Sequence, residues 1–130
     1  MVINFENLYR FKLFNSNKEI NQKYEIVKLL LQIKILERYK KKKRFLKIYT
    51  EFPTTQDSVA DLYVENINSK SVTIYKIKNR LNEEKKQQIV YKYRDFKVPF
   101  TKTFNLMFID LSFLSSDIEE LNKQLNNYIL

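Results

Sequence analysis

The chain has 130 residues, with 24 Lys or Arg against 15 Asp or Glu, and its formal net charge is +9. It contains no Cys, His or Gly, which excludes disulfides, thiolate or imidazole catalysis, metals held by Cys or His, and glycine-rich phosphate loops. The chemistry that remains uses carboxylates, Lys, Tyr, Ser, Thr and an oxygen-ligated metal such as magnesium or manganese.

The positive charge favours nucleic acid as a partner, ahead of an anionic membrane surface. An AT-rich genome also produces many Lys, Asn, Ile, Phe and Tyr residues, so basicity alone does not establish that partner. No apolar run approaches the roughly 18 residues of a membrane span, and Met1–Arg10 lacks the pattern of a signal peptide. We therefore expect one soluble, cytoplasmic domain with no membrane partner.

The N-terminal part of the chain predicts a long helix followed by a basic run. Met1–Phe14 has clustered apolar residues and predicts a short helix or an arm. Ser16 or Asn17 then caps a helix from Lys18 to about Tyr39, because apolar residues recur at steps of three and four. The run that follows spans the helix end and the turn, where it either contacts a phosphate backbone or is simply solvated. It consists of Lys40, Lys41, Lys42, Lys43 and Arg44.

Three strands are predicted next, in the order of a meander. Phe45–Phe52 is rich in residues that favour strands, and Pro53–Asp57 predicts a loop. Ser58–Asn66 and Val72–Lys78 are the second and third strands, joined by a hairpin turn at residues 68–70.

The C-terminal part predicts a helix, a strand and a last helix. Asn82–Phe96 has a helical pattern, and the apolar run Phe104–Leu114 is typical of a strand buried on both faces. Ser116 and Glu119 form a capping box before a final helix with an apolar stripe. The order of elements predicts a single α/β domain over residues 1–130. Its mixed four-stranded sheet combines an antiparallel meander, a crossover helix and a fourth strand, and helices flank it.

Charged residues interrupt the predicted hairpin of the second and third strands. Side chains alternate along a strand, so Asp61 should share a face with Tyr63 and Glu65, and Lys76 should share one with Lys78. If the strands pair in register, Asp61 lies near Lys76 or Lys78, with Asp61 and Lys78 on the same side of the sheet. These charges are either solvated or part of a site.

The segments Ala60-Asp61-Leu62-Tyr63-Val64 and Ile74-Tyr75-Lys76-Ile77-Lys78, followed by a helix, resemble the PD-(D/E)xK nuclease superfamily. Gln87 and Tyr91 in that helix are similar to the Gln-x-x-x-Tyr motif of its RecB-type exonuclease branch. The resemblance implies a restriction-endonuclease-like fold. It also implies that Asp61 binds magnesium, that Lys78 orients or activates the attacking water, and that Gln87 and Tyr91 help to hold DNA.

One position departs from the family pattern, because Lys76 stands where the family has an acidic metal ligand. A cation there repels magnesium and cannot ligate it, although Lys76 could pair with Asp61 in place of the metal. We therefore expect a nuclease-like protein that has lost cleavage and needs no cofactor. It would bind nucleic acid, with DNA favoured, or serve as an accessory subunit in DNA processing.

Two alternatives remain open. An active enzyme would use magnesium or manganese held by Asp61 with Glu65 or Glu51 as a migrated carboxylate, and Glu25 is a weaker candidate on the first helix. A viral or mobile-element interaction module would instead bind a protein partner or form a homodimer. Five tyrosines could stack on bases or pack in the core, namely Tyr49, Tyr63, Tyr75, Tyr91 and Tyr93.

Overall fold

The computed structural model describes residues 17–55, 57–98 and 101–129. Predictions for Met1–Phe14 and for Ser16 as a cap lie outside the described residues, as does the side chain of Lys43. The helices are α1 (Asn17–Arg38), α2 (Glu83–Lys92) and α3 (Ile118–Gln124). The strands are β1 (Leu46–Thr55), β2 (Ser58–Asn66), β3 (Ser71–Lys78) and β4 (Thr103–Asp110). Short 3-10 helices cover Lys40–Phe45, Leu111–Phe113 and Leu125–Tyr128.

The four strands form one mixed sheet in the order β1-β2-β3-β4, as predicted. β1, β2 and β3 pair antiparallel, and β4 pairs parallel to β3 after the crossover through α2. A crossover is required there because parallel neighbours cannot be joined by a tight turn. The predicted α/β class and strand arrangement are confirmed.

Helices cover both faces of this sheet. The apolar stripe of α1 packs with α3 against one face, where the buried residues include Leu31, Leu62, Ile77 and Leu121. Tyr93, at the C-terminal end of α2, packs on the other face against a smaller cluster. Each buried leucine contributes about 1.5–3 kcal/mol of hydrophobic stabilisation, so the α1 face carries most of the core. Within the described ranges, no helix has the length and apolarity needed to cross a membrane.

Several element boundaries differ from the sequence-based prediction. β1 continues through Pro53 to Thr55 rather than ending at Phe52, which an edge strand permits because one side needs no backbone donor. β4 is not buried on both faces: it is the other edge strand, and only its end at Ile109 and Asp110 is fully buried.

The ends of two helices also differ from the prediction. α3 is capped by Asp117, whose carboxylate accepts from the Glu119 N–H, and not by Ser116. The helix predicted over Asn82–Phe96 is shorter, with Asn82 as its N-cap and Tyr93 as its C-cap.

Candidate functional site

The alternation of side chains breaks at one position in both β1 and β2. Ala60 and Tyr63 lie on the α2 face although they are three residues apart, and Leu62 lies on the α1 face. Asp61 also points to the α1 face, where its Oδ1 accepts a hydrogen bond from the Tyr24 hydroxyl at 2.5 Å. The prediction that Asp61 shares a face with Tyr63 is therefore wrong, because the strand has a local irregularity at Asp61.

The pairing of β2 with β3 also stops at Asp61. Their paired register begins at Leu62 and Tyr75 and continues away from Asp61. At Asp61 a side chain replaces the backbone acceptor, since its Oδ2 accepts from the Ile77 N–H at 2.6 Å. We call the stretch formed by residues 58–61 of β2 and 76–78 of β3 the strand gap.

Lys76 bridges the strand gap from the opposite face. Its ammonium donates to the Val59 carbonyl at 2.6 Å and to the Ser58 Oγ at 3.3 Å. Ser58 Oγ is also 2.8 Å from the hydroxyl of Tyr93, which belongs to the α2-face cluster. Lys76 therefore lies on the α2 face and Asp61 on the α1 face. No ion pair joins them, so the expected pairing of Lys76 with Asp61 is wrong.

Ile77 packs in the α1-face cluster, so Lys78, the next residue of β3, falls on the same face as Lys76. The prediction that Asp61 and Lys78 lie on the same side of the sheet is therefore wrong.

Glu51 lies opposite Asp61 on β1, between the rows Thr50↔Leu62 and Phe52↔Ala60. Its backbone has a φ of 49°, a left-handed conformation that costs a residue with a Cβ about 1–2 kcal/mol. The conformation coincides with the break in alternation and brings the Glu51 carboxylate to α1. There its Oε1 accepts from the ammonium of Lys28 and from the Tyr24 hydroxyl, both at 2.8 Å.

Two carboxylates therefore meet at one phenol. Tyr24 has a single proton and can donate to Asp61 or to Glu51, not to both at once. Burial raises the pKa of Tyr24, and its hydrogen bonds to Asp61 and Glu51 raise it further. The hydrogen bond from Lys28 is the main cause of a lowered pKa for Glu51. The phenol thus stays protonated, and the carboxylate beside Lys28 stays ionised.

These residues do not fit the magnesium or manganese site that the family resemblance implies. Glu51 is already in contact with the ammonium of Lys28, and both oxygens of Asp61 accept hydrogen bonds. Glu65 lies four positions further along β2, where it pairs with Lys47 and Val72, and it does not join Asp61. Among the described residues, no three Asp or Glu side chains converge as a metal-binding group.

Lys76 is 6% exposed and is the most deeply buried of several nearby cations. Burial is the main cause of its lowered pKa, and the neighbouring charges of Lys78 and, to a lesser extent, Lys92 lower it further. The negative charges of Asp61 and Glu51, on the α1 face, act in the opposite direction and raise the pKa of Lys76. Lys78, at the end of β3, and Lys92, on α2, are both exposed, and the charge of each acts on Lys76.

Other predicted site residues lie apart from this group. Gln87 and Tyr91 are exposed on α2, and Tyr91 is in contact with the guanidinium of Arg94, 4.1 Å from the ring centroid. The basic run after α1 leads into Leu46, which pairs with Asn66 at the far end of the sheet from Asp61. Its described side chains are exposed, namely Lys40, Lys41, Lys42 and Arg44.

The five tyrosines divide between the core and the surface. Tyr63, Tyr75 and Tyr93 are buried, so these three pack in the core. Tyr49 is 39% exposed and packs against Phe52 and Tyr63, whereas Tyr91 is 62% exposed.

Sequence reasoning missed four residues of the site: Tyr24, Lys28, Ser58 and Tyr93. Tyr24 falls in the apolar stripe of α1 and is expected in the core. The four-residue spacing of Tyr24 and Lys28 was the one signal that they share a helix face. Ser58 and Tyr93 carry no motif, since their link to Lys76 depends on the tertiary fold.

Comparisons of the chain with models of protein families, with curated proteins and with solved structures gave no match. The functional argument therefore depends on the residues of the strand gap and its surroundings.

Proposed function

We propose that this chain is a nuclease-like domain that binds nucleic acid, with DNA as the favoured partner, and does not cleave it. The observation that carries the proposal is that two exposed cations, Lys78 and Lys92, lie close enough to the buried Lys76 for their charges to lower its pKa beyond the effect of burial, which is the main cause. No carboxylate of the described chain forms an ion pair with any of the three. A phosphate group beside the exposed Lys78 and Lys92 would relieve this repulsion and gain charge-assisted hydrogen bonds.

The order of elements supports the nuclease-like part of the proposal. The resemblance implies an Asp in the second strand of a meander, a Lys at the end of the third and a helix after it. In this chain Asp61 belongs to β2, Lys78 ends β3 and α2 follows β3, so the order along the chain agrees with what the resemblance implies. The mixed sheet with a crossover helix is consistent with that architecture.

The non-catalytic part rests on what Asp61 and Lys76 do. Asp61 joins β2 to the Ile77 N–H and to Tyr24, and Lys76 joins β3 to the Val59 carbonyl. Both charged groups thus join β2 to β3. In addition, Lys76 is a cation at the position where the family has an acidic metal ligand. A protein of this kind would act as an accessory subunit that positions DNA for a partner enzyme.

Binding is tested by fluorescence anisotropy with a labelled DNA duplex over a series of salt concentrations. The logarithm of affinity should fall with the logarithm of salt concentration by about 0.9 per phosphate contacted. The double variant Lys78→Gln/Lys92→Gln should reduce that slope by about 2. The control is Lys41→Gln/Lys42→Gln, which removes the same charge at the far end of the sheet and should leave the slope nearly unchanged.

Other outcomes would contradict the proposal. If the control variant reduced the salt slope more than Lys78→Gln/Lys92→Gln, the DNA interface would lie at the basic run after α1. No binding at low salt would favour the viral or mobile-element interaction module. Manganese-dependent cleavage by the wild type, abolished by Asp61→Ala, would establish the active nuclease instead.

A further inference from the structure

A cleft lies between the β1–β2 turn and the C-terminal end of α2. Its volume is about 290 Å³, and it is lined by Thr55, Asp57, Tyr91, Lys92, Arg94 and Asp95. Its size is near the lower end of the range for small-molecule sites. The cleft adjoins the strand gap, because Lys92 lines it and also acts on the pKa of Lys76.

An exposed aromatic ring forms one wall of this cleft. Tyr91 is 62% exposed, an unusual state for a large aromatic side chain in a domain whose other tyrosines mostly pack. The guanidinium of Arg94 lies 4.1 Å from the ring centroid, within the range of a cation–π contact. Asp95 accepts from the Arg94 Nε at 3.2 Å, which restrains the guanidinium. The wall is therefore a pair of flat groups that are already in contact.

We propose that this cleft holds one unpaired nucleobase, stacked on the Tyr91–Arg94 pair, while its phosphate lies toward Lys92 and Lys78. This inference rests on the proposed function and specifies its ligand as a single strand or a duplex with an unpaired end. Bases stack on aromatic rings and on guanidinium planes, and such contacts tolerate any sequence.

The charges of the cleft are consistent with a base rather than a phosphate inside it. The lining has two carboxylates, Asp57 and Asp95, beside two cations, Lys92 and Arg94, so the cleft has no excess of positive charge to hold a phosphate. The same carboxylates can accept hydrogen bonds from the amino and imino groups of a base. Lys92 donates to the Asp57 carbonyl at 3.4 Å, so it lies beside the β1–β2 turn where the backbone would leave the cleft.

The test compares two probes that differ only in their bases. One is a short single-stranded oligonucleotide, and the other is the same strand with abasic sites throughout, which keeps every phosphate. The wild type should bind the strand with bases at least about fivefold more tightly, since one stacked base is typically worth that much. Tyr91→Ala should remove the difference, and Tyr91→Phe should retain it because the ring remains.

Two further variants separate stacking from charge and from general hydrophobicity. Arg94→Lys keeps the charge but not the plane, so it should weaken binding of the strand with bases and leave the salt slope unchanged. Phe113→Ala removes an aromatic residue that is 76% exposed elsewhere, and it should have no effect.

Equal binding of the two strands by the wild type would overturn the cleft proposal. If Lys78→Gln/Lys92→Gln still reduced the salt slope in that case, the proposed function would stand without the cleft. If the wild type bound neither strand but still bound the duplex, only the cleft proposal would fail, and if it bound none of the three, both proposals would fail.

Discussion

Replacement of Asp61 tests whether this residue holds the strand gap together. Its side chain is 7% exposed and makes two hydrogen bonds, from Tyr24 at 2.5 Å and from the Ile77 N–H at 2.6 Å. A hydrogen bond to a charged group contributes about 1.5–3 kcal/mol, and a buried donor without an acceptor costs about 1–3 kcal/mol. Asp61→Ala loses both bonds and leaves the Ile77 N–H without an acceptor.

One effect opposes this loss. Glu51 lies opposite Asp61, and two like charges at facing positions of a sheet destabilise it. Lys28 already compensates the charge of Glu51 at 2.8 Å, so the relief on removing Asp61 should be the smaller term. We therefore expect Asp61→Ala to lower the free energy of unfolding by about 2–4 kcal/mol.

Asp61→Asn is the matched variant. Its amide oxygen can still accept from the Ile77 N–H, and its amide nitrogen can donate to the Tyr24 oxygen, so we expect a loss of about 1 kcal/mol. The chain contains no Trp, so urea unfolding should be followed by circular dichroism and analysed by linear extrapolation.

The reasoning would be refuted if Asp61→Ala were as stable as the wild type or more stable. That result would mean that Asp61 is a repelled charge kept at the expense of stability, as residues retained for catalysis often are.

Two further predictions concern a buried tyrosine and a helix cap. Burial raises the pKa of Tyr75 to about 12 from 10.0, so its contribution to stability is complete below pH 10 and is lost by about 1.4 kcal/mol per pH unit between pH 10 and 12. Urea unfolding at several alkaline pH values should therefore show that the free energy of unfolding falls less steeply with pH for Tyr75→Phe than for the wild type. Equal slopes for the two proteins would contradict the raised pKa of Tyr75. Asp117→Ala should lower the free energy of unfolding by about 1 kcal/mol, whereas Ser116→Ala should have little effect. The reverse order would restore the sequence-based assignment of the cap.

The fold was predictable because its elements have clear periods. α1 carries an apolar stripe at steps of three and four, and the three meander strands are separated by turn-forming residues. The ends of helices and strands were less predictable where two neighbouring residues are equally suited to the same position. Ser116 and Asp117 are both good caps, and only the tertiary position of α3 selects Asp117. β4 has the composition of a central strand, but its place at the sheet edge leaves its first two residues exposed and the next four only half-buried.

The geometry of the site was not predictable from alternation. β2 is buried from Ala60 to Val64, so every side chain in that stretch is covered whichever way it points. A strand with no polar face gives no signal of a break in alternation. The break at Asp61, and the matching one at Glu51, follow from contacts with Tyr24 and Lys28 on a distant helix.

Under the proposed function, the strand gap offers a physical reason why an Asp would remain in a nuclease-like protein that has lost a metal ligand. Asp61 accepts from the backbone of β3, and Lys76 donates to the backbone of β2, so each side chain replaces a backbone hydrogen bond between the two strands. These bonds join the two strands whether or not a metal is bound, and a ligand at Asp61 would have to compete with them. Under the same proposal, the groups that would contact nucleic acid are the exposed ones beside the gap: Lys78 and Lys92 for phosphate, and Tyr91 with Arg94 for a base. A binding function would thus depend on residues around the gap, while the residues within it keep the strands in place.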